Sequence, residues 1–241
     1  MTVPHDLRHV NRLLAAVPES DHLRWQDRLE HVELLRGQVV YEAGESPTHV
    51  VFPCHAVVSV RQVLLNGSST EIAQVGREGL IGIAVFMGGV SNPCRAVVVS
   101  PGLACSLPAA VLKETFDHSP AVMGLVLRYI QAAITQMAQT AVCNRHHTLD
   151  QQLCRWLLLS LDRLDGMELA VTQDLIATTL GVRREGVTEA ALRLQAAGLI
   201  RYRRGHITVL DRPGLEQRSC ECYRVVRREY ERLLPATPLT A

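Results

Sequence analysis

The stretch from Thr172 to Leu210, TQDLIATTLGVRREGVTEAALRLQAAGLIRYRRGHITVL, leaves few folds open. Its apolar residues recur at helical spacing, stop at a glycine, resume at helical spacing, then give way to two short strand-like runs. Thr172 carries the hydroxyl of an N-cap, able to accept from an orphan backbone N–H of the helix it opens. Ile176 and Leu180 share one face, and Ala177 beside them is small enough for a second helix to cross closely. Gly181 stands where the first helix must end in a left-handed residue. Val182, Val187 and Ala190 or Ala191 give the second helix an apolar underside, while Arg183, Arg184, Glu185, Thr188 and Glu189 lie opposite. The spacing predicts a helix-turn-helix rather than an ordinary helical hairpin. Leu199–Tyr202 and His206–Val209 flank Arg203-Arg204-Gly205, which predicts a two-stranded wing with two arginines at its tip.

Such a motif places a short helix in the major groove of duplex DNA. An arginine can bond O6 and N7 of guanine, and a carboxylate can accept from the N4 amine of cytosine. Arg184 and Glu185 stand at the end of the second helix that reaches base edges, and the tip arginines stand where a phosphate would meet them. The candidate DNA-binding residues are Thr172, Gln173, Arg183, Arg184, Glu185, Thr188, Arg203 and Arg204. The alternative, a solvated pairing of Glu185 with Arg183 or Arg184, contributes little to stability and so gives weak reason for those charges. Total charge says little, since 25 Lys+Arg face 24 Asp+Glu. From Gly181 to Arg232, however, twelve arginines face seven acids, a local net of +5 that leaves the remainder acidic.

The chain has 241 residues, enough for two modest domains, with 47% hydrophobic but only 4% aromatic residues, which fits aliphatic cores. No apolar run is expected to span a bilayer, and the opening MTVPHDLRHVNRLL has no signal core, so a cytoplasmic protein is expected. The seven cysteines are odd in number and scattered, which favours reduced thiols. Cys220-Glu221-Cys222 is the close pair, but its spacing is not Cys-x-x-Cys, no second pair follows, and His146-His147 lies some 73 positions upstream. Packing of small side chains on a terminal helix is the favoured reading of that pair, and no metal ligands are assigned. Gly-x-Ser-x-Gly, phosphate-loop and His-Glu-x-x-His motifs are missing, so an enzyme is not expected.

Residues 6 to 30 read as short helices broken near Pro18, with Ser20 capping the next one. From Val32 strand-sized runs alternate with turns: VELL, QVVYEA, HVVF, AVVSVRQVLL, TEIAQV, LIGIAVFM and CRAVVVS, with Asn66-Gly67 the strongest hairpin signal. Helical texture returns at Ala109, and Ser119-Pro120 reads as a cap followed by proline at the first helical position. Met123, Leu127, Ile130, Ile134, Met137 and Ala141 then alternate by fours and threes. That stripe suits a dimer seam, favoured here, or a helix packed on its own β domain. Asn144–Leu149 reads as a hinge, Asp150–Leu164 as a helix with Leu153, Trp156, Leu157 and Leu161 inward, and Leu215–Leu234 as a final arginine-rich helix. The expected architecture is α+β: a double-stranded β-helix or jelly-roll sensor domain over 1–118, a dimerisation helix and hinge over 119–147, and a winged helix-turn-helix domain over 148–241.

This order of parts resembles the Crp/Fnr family of bacterial transcription regulators, which join a cyclic-nucleotide-binding-type β-roll to a long dimerisation helix and a winged helix. The resemblance spans nearly the whole chain. It rests on Gly37-Gln-Val-Val-Tyr-Glu-Ala-Gly44-Glu45 followed by HVVF, on Gly67, Gly76 and Gly79, and most tightly on TQDLIATTLGVRREGVTE. It implies a homodimer on duplex DNA, with RNA polymerase a further partner and Arg184-Glu185 at the base-reading step. Glu189, where relatives often have arginine, and Gly186, where threonine or serine is usual, depart from the pattern. The resemblance puts a ligand pocket at Gly79, Leu80, Arg95 and Ala96. Gly79-Leu80-Ile81-Gly82 lacks the ribose-binding carboxylate of cyclic-AMP-binding relatives, and Arg95-Ala96 lacks the hydroxyl, so cyclic AMP is not the expected effector. The first cysteine is Cys54, so the N-terminal cluster of iron–sulfur sensors is missing, while haem on a roll His or Cys stays open. A reading from another class is a ligand-sensing or protein-interaction module whose winged helix does not bind DNA, favoured by Glu189 and the weak total charge.

Overall fold

The computed structural model describes residues 7–89 and 91–234; the opening MTVPHD, Val90 and residues 235–241 lie outside the described residues. The β-branched runs fold into two antiparallel sheets. One has the order β1 (Glu30–Leu34), β7 (Gly102–Pro108), β3 (His49–Pro53); the other runs β2 (Val39–Tyr41), β6 (Arg95–Ser100), β4 (Val57–Val63), β5 (Ser69–Val75). Residues of both sheets, among them Val50, Phe52, Val58, Ala96, Val98, Ala104 and Leu107, are buried in a common core. The β4–β5 hairpin turns at Asn66-Gly67, whose asparagine Oδ1 accepts from the Ser68 N–H at 3.0 Å. Two runs differ from expectation. In LIGIAVFM only Ile81 forms a bridge, to Val51; Gly82 at φ 108° then turns the chain into a 3-10 turn over Ile83–Phe86. GLACSLP, not expected as a strand, is the central strand β7, because its pairing with β1 and β3 is set by distant residues.

A 3-10 turn (Leu7–His9) and the short helices α1 (Arg12–Ala15) and α2 (Glu19–Trp25) pack on the roll. Asn11, fully buried, caps α1: its Oδ1 accepts from Leu13 and Leu14 N–H, and its Nδ2 donates to the Pro53 and Gly79 carbonyls, both at 2.8 Å. That satisfies a buried amide from both ends. Ser20 lies inside α2, whose N-cap is Pro18, so its expected capping role is corrected.

After α3 (Ala109–His118), Ser119 accepts from the Val122 N–H and Pro120 opens the 27-residue α4 (Pro120–His146), as the sequence predicts. Its apolar stripe splits. Ile130 is buried and Met123 and Met137 are half-buried against the core, whereas Leu127 (49% exposed) and Ile134 (52%) face outward with Ala141. The helix packs on its own roll and keeps a narrower outward seam. By length and composition α4 is also apolar enough to cross a bilayer, which corrects the expectation that no run is; 44% of its most apolar window is buried inside the protein. The hinge is shorter than expected, only His147-Thr148, because α5 (Leu149–Leu161) starts at once from a reciprocal capping box of Thr148 and Gln151.

The chain continues through β8 (Glu168–Ala170), α6 (Gln173–Leu180), α7 (Arg184–Ala196), β9 (Ile200–Arg203) and β10 (His206–Val209). The wing sheet therefore has three strands in the order β8-β10-β9 rather than two. The expected single terminal helix is two, α8 (Arg212–Arg218) and α9 (Glu221–Leu233), broken at Ser219-Cys220. Asp211 accepts from the Gly214 N–H at 3.0 Å and Pro213 lies in the first turn, so α8 starts earlier than Leu215. The break lets α8 pack on α5 while α9 packs on α4, which one straight helix could not do.

A buried arginine holds these two halves together. Arg163, just past α5, is 3% exposed and reaches into the roll. Its Nε lies 2.7 Å from Glu78 Oε1, its Nη1 donates to the Leu159 carbonyl, and its Nη2 donates to Gln136 Oε1 (2.9 Å) and the Gln74 carbonyl (3.2 Å). Burial is the strongest influence and works against the guanidinium charge, but Glu78, Tyr230 and Asp162 together more than offset it, so Arg163 keeps its proton more firmly than a free arginine. Gly76 makes this approach possible, since a Cβ there would sit 2.7 Å from the Arg163 Cβ. Replacing Arg163 by methionine strands the Glu78 charge in a buried interface. Urea unfolding should show a loss of about 3–5 kcal/mol, partly returned by adding Glu78→Gln. A loss under about 1 kcal/mol, the scale of an exposed pair, would contradict this role.

Candidate nucleic-acid interface and effector cavity

Thr172 does cap α6: its hydroxyl accepts from the Leu175 N–H at 3.2 Å. Gly181 ends that helix at φ 67°, ψ 33°, with its N–H bonded to the Ala177 carbonyl. Ile176, Ala177, Leu180, Val187, Ala190, Ala191 and Leu194 are buried between α6, α7 and their neighbours. Arg183, Arg184, Glu185 and Glu189 are exposed on the other side. Gly186 is half-buried beside Leu149, and a Cβ there would stand 3.0 Å from the leucine Cδ2. The glycine lets α7 lie close to the start of α5.

Polar contacts divide the candidate residues into two groups. Thr188 Oγ1 lies 2.9 Å from Gln173 Oε1 and 3.1 Å from the Arg184 carbonyl, so Thr188 and Gln173 tie the two helices together. Arg184 Nε lies 3.5 Å from Asp174 Oδ1, but both side chains are more than 60% exposed. A pair that open to water holds Arg184 only weakly and leaves it available. Glu189 stands 3.8 Å from Arg193, which is itself bound to Asp150 through two nitrogens. Arg203 and Arg204 are exposed at the wing tip, where Arg204 (φ 42°) and Gly205 (φ 82°) both adopt positive φ, as a two-residue type I′ hairpin requires. The Gly205 carbonyl accepts from the Val171 N–H at 2.6 Å, which fixes the tip beside the start of α6. The chain entering α6 thus touches the wing through Val171 and α7 through the Gln173–Thr188 contact.

The expected ligand residues do not form one pocket. Gly79 packs against the Tyr129 ring so closely that no Cβ would fit, and the Tyr129 hydroxyl donates to the Leu80 carbonyl at 2.9 Å. Leu80 and Ala96 are buried. The cavity beside Leu80 measures about 30 Å³ and is lined by apolar and aromatic side chains, including Tyr41, Val60, Ile83, Tyr129 and Tyr230. That space is on the scale of one or two waters, far below a ligand pocket. Burial pushes the Tyr129 hydroxyl well above the usual tyrosine range, so it stays a neutral donor. Arg95 is not among the lining residues; its Nη2 pairs with Glu42 at 3.0 Å across the strand edge. A larger cavity of about 220 Å³ lies where the roll meets α5 and α9, lined by Arg12, Glu78, Asp162, Arg163, Arg227 and Tyr230 among others. The sequence points to Tyr230 only as a packing residue and to Arg227 only as part of the basic segment, and it gives no signal for this cavity or for Tyr129.

Family models match the chain in two places: a cyclic nucleotide-binding domain over residues 31–119 and a Crp-like helix-turn-helix domain over residues 151–218. A sequence search among curated proteins finds no match. Among solved structures, a putative transcriptional regulator of the Crp/Fnr family from Eubacterium rectale superposes with a TM-score of 0.67 at 18% identity, covering 88% of this chain and 97% of its own. FixK2 from Bradyrhizobium japonicum gives 0.67 at 16% identity, over 80% of this chain and 98% of its own. CLP, the c-di-GMP responsive global regulator of Xanthomonas campestris, gives 0.63 at 14% identity, over 80% and 100%. At such identities these likenesses are of fold, and the two matched domains carry the assignment. With a cyclic nucleotide-binding domain followed by a Crp-like helix-turn-helix on that shared fold, the chain belongs to the Crp/Fnr family of transcriptional regulators.

Proposed function

We propose that this regulator acts as a homodimer on a pseudo-palindromic DNA site, with a β-roll that is not gated by cyclic AMP. The observation that carries the reading is the exposed set of Arg183, Arg184 and Glu185 at the start of α7, next to a wing tip bearing Arg203 and Arg204. In this reading Arg184 and Glu185 read base edges, the tip arginines bind phosphates, and Arg183, Thr172, Gln173 and Thr188 place the helix. The dimer rests on the outward seam of α4, where Leu127, Ile134 and Ala141 recur every seven residues. Two copies joined there would present two recognition helices, matching half-sites about one helical turn apart. Against cyclic AMP stand the small apolar cavity at Leu80, its filling by Tyr129, and the pairing of Arg95 with Glu42. Among the described residues of the Gly79–Gly82 loop there is no carboxylate to hold a ribose.

Arg184→Ala should cost about 1–3 kcal/mol, confined to one base position per half-site in a panel of operator variants. Arg203→Ala combined with Arg204→Gly, the glycine keeping the left-handed turn, should weaken all duplexes alike and flatten the salt dependence by about two ions. Exchange of the two patterns would overturn the division of labour. Leu127→Glu with Ile134→Glu should convert the protein to a single-chain species in sedimentation equilibrium, with the melting temperature little changed. An unaltered mass would place the dimer seam elsewhere.

A further inference from the structure

The close cysteine pair left aside as packing has partners that the sequence does not bring near. Cys143, on the last turn of α4, and His147, its C-cap, are four residues apart and share a helix face. Cys220 is the N-cap of α9 and Cys222 lies in its first turn. Inside a continuous helix, residues two apart would point away from each other. The break at Ser219-Cys220 removes that restriction and turns both thiols toward the end of α4. Cys143 Sγ and Cys220 Sγ stand 3.5 Å apart, Cys222 Sγ and His147 Nδ1 stand 3.6 Å apart, and all four ligand atoms lie within 4.8 Å of one another.

We propose that Cys143, His147, Cys220 and Cys222 bind one zinc ion, as a structural site that closes the base of the DNA-reading unit. Three sulfurs and one imidazole nitrogen are the donor set of a Cys₃His structural site. With bonds of about 2.0–2.3 Å, a tetrahedral ion holds its donors about 3.5–3.8 Å from each other, which the observed separations approach. Thiolates exclude calcium and magnesium, which take oxygen ligands. Four protein donors fill the tetrahedron and leave no open position for catalysis.

The surroundings are those of a ligand set rather than of packed small side chains. The three thiols form a cluster separate from the main core, and each is at most 3% exposed. The other histidine nitrogen, Nε2, lies 3.3 Å from Glu221 Oε2, the carboxylate–histidine arrangement that fixes the tautomer of a metal-bound imidazole. Gln152 Nε2 donates to the His147 carbonyl at 2.9 Å and steadies the end of α4. Buried Arg155 lies close enough to act electrostatically on Cys143 and Cys222, and it would balance the extra negative charge of three thiolates around a divalent ion. A Cys143–Cys220 disulfide would use two of these groups and leave Cys222, His147 and Glu221 without a role.

The ion would join the end of the linker helix to the start of the last helix, bridging the 73 positions from His147 to Cys220 that contain the whole winged helix. A cross-link there restricts the unfolded chain and fixes the unit on α4. The test uses the full chain, expressed untagged in zinc-supplemented medium, purified under reducing conditions without chelator and analysed for metals. About one zinc per chain is expected, and Cys222→Ser should lose most of it, while Cys94→Ser in the roll should keep it. Cobalt(II) exchanged into the wild type should show the visible bands of a tetrahedral ion and a thiolate charge-transfer band, a readout that survives if the variant does not fold. A strong chelator should lower the melting temperature, with recovery on adding zinc but not magnesium. Well under half a zinc per chain after reconstitution, iron with acid-labile sulfide, octahedral cobalt, or two fewer free thiols than the seven present would each overturn the proposal.

Discussion

Burying a guanidinium is costly unless a carboxylate and further acceptors meet it, and the arrangement of this protein follows from how Arg163 is met. It leaves the end of α5 and finds Glu78 from the turn after β5, Gln74 from β5 itself and Gln136 from α4. One side chain therefore bonds the sensor roll, the linker helix and the first helix of the DNA-reading unit. Gly76 gives up a Cβ for it, and the Tyr230 ring of α9 lies 5.9 Å from its centre. Ser160 on Gln74 and Arg77 on Asp165 repeat the same junction in weaker form. The winged helix is thus docked on the roll, with the turn at Gly181 close against Thr70 of β5.

This docking has a consequence for regulation. A change in the roll that moved Glu78 or β5 would reach α5 through contacts with few alternatives, because an unpaired buried charge is not tolerated cheaply. In the proposed reading this route needs no cyclic AMP in the roll. Tyr129 fills the space beside Leu80, and a cavity of about 220 Å³ lies at the junction itself, lined by Arg12, Glu78, Arg163 and Tyr230 among others. The proposed zinc site works at the opposite end of α5, where α4 ends and α9 begins.

Much of this was legible in the sequence where local chemistry decides the outcome. Thr172, Gly181 and Gly205 mark the helix-turn-helix and wing because capping and positive φ are properties of one or two residues. Asn66-Gly67 and Ser119-Pro120 gave away a hairpin and the start of α4 for the same reason. What escaped depends on residues far apart in the chain. β7 and β8 are three- to seven-residue runs whose pairing is set by distant strands. The break between α8 and α9 carries no glycine or proline, and it is decided by packing against two different helices. Arg163 with Glu78, 85 positions apart, and Cys143 with Cys220, 77 apart, have no local signature. Arg95, placed in the pocket by resemblance, pairs with Glu42 3.0 Å away, a contact between residues 53 positions apart that no local pattern announces.

The central claim is that two copies of this chain read an inverted repeat through Arg184, Glu185 and the wing. Selection of bound sequences from a pool of random duplexes, with the untagged full-length protein at low and at physiological salt, tests it most directly. Enrichment of a two-fold symmetric motif is predicted, with half-site centres about one helical turn apart and affinity falling steeply with salt. A single asymmetric site, or no enrichment even at low salt, would contradict it.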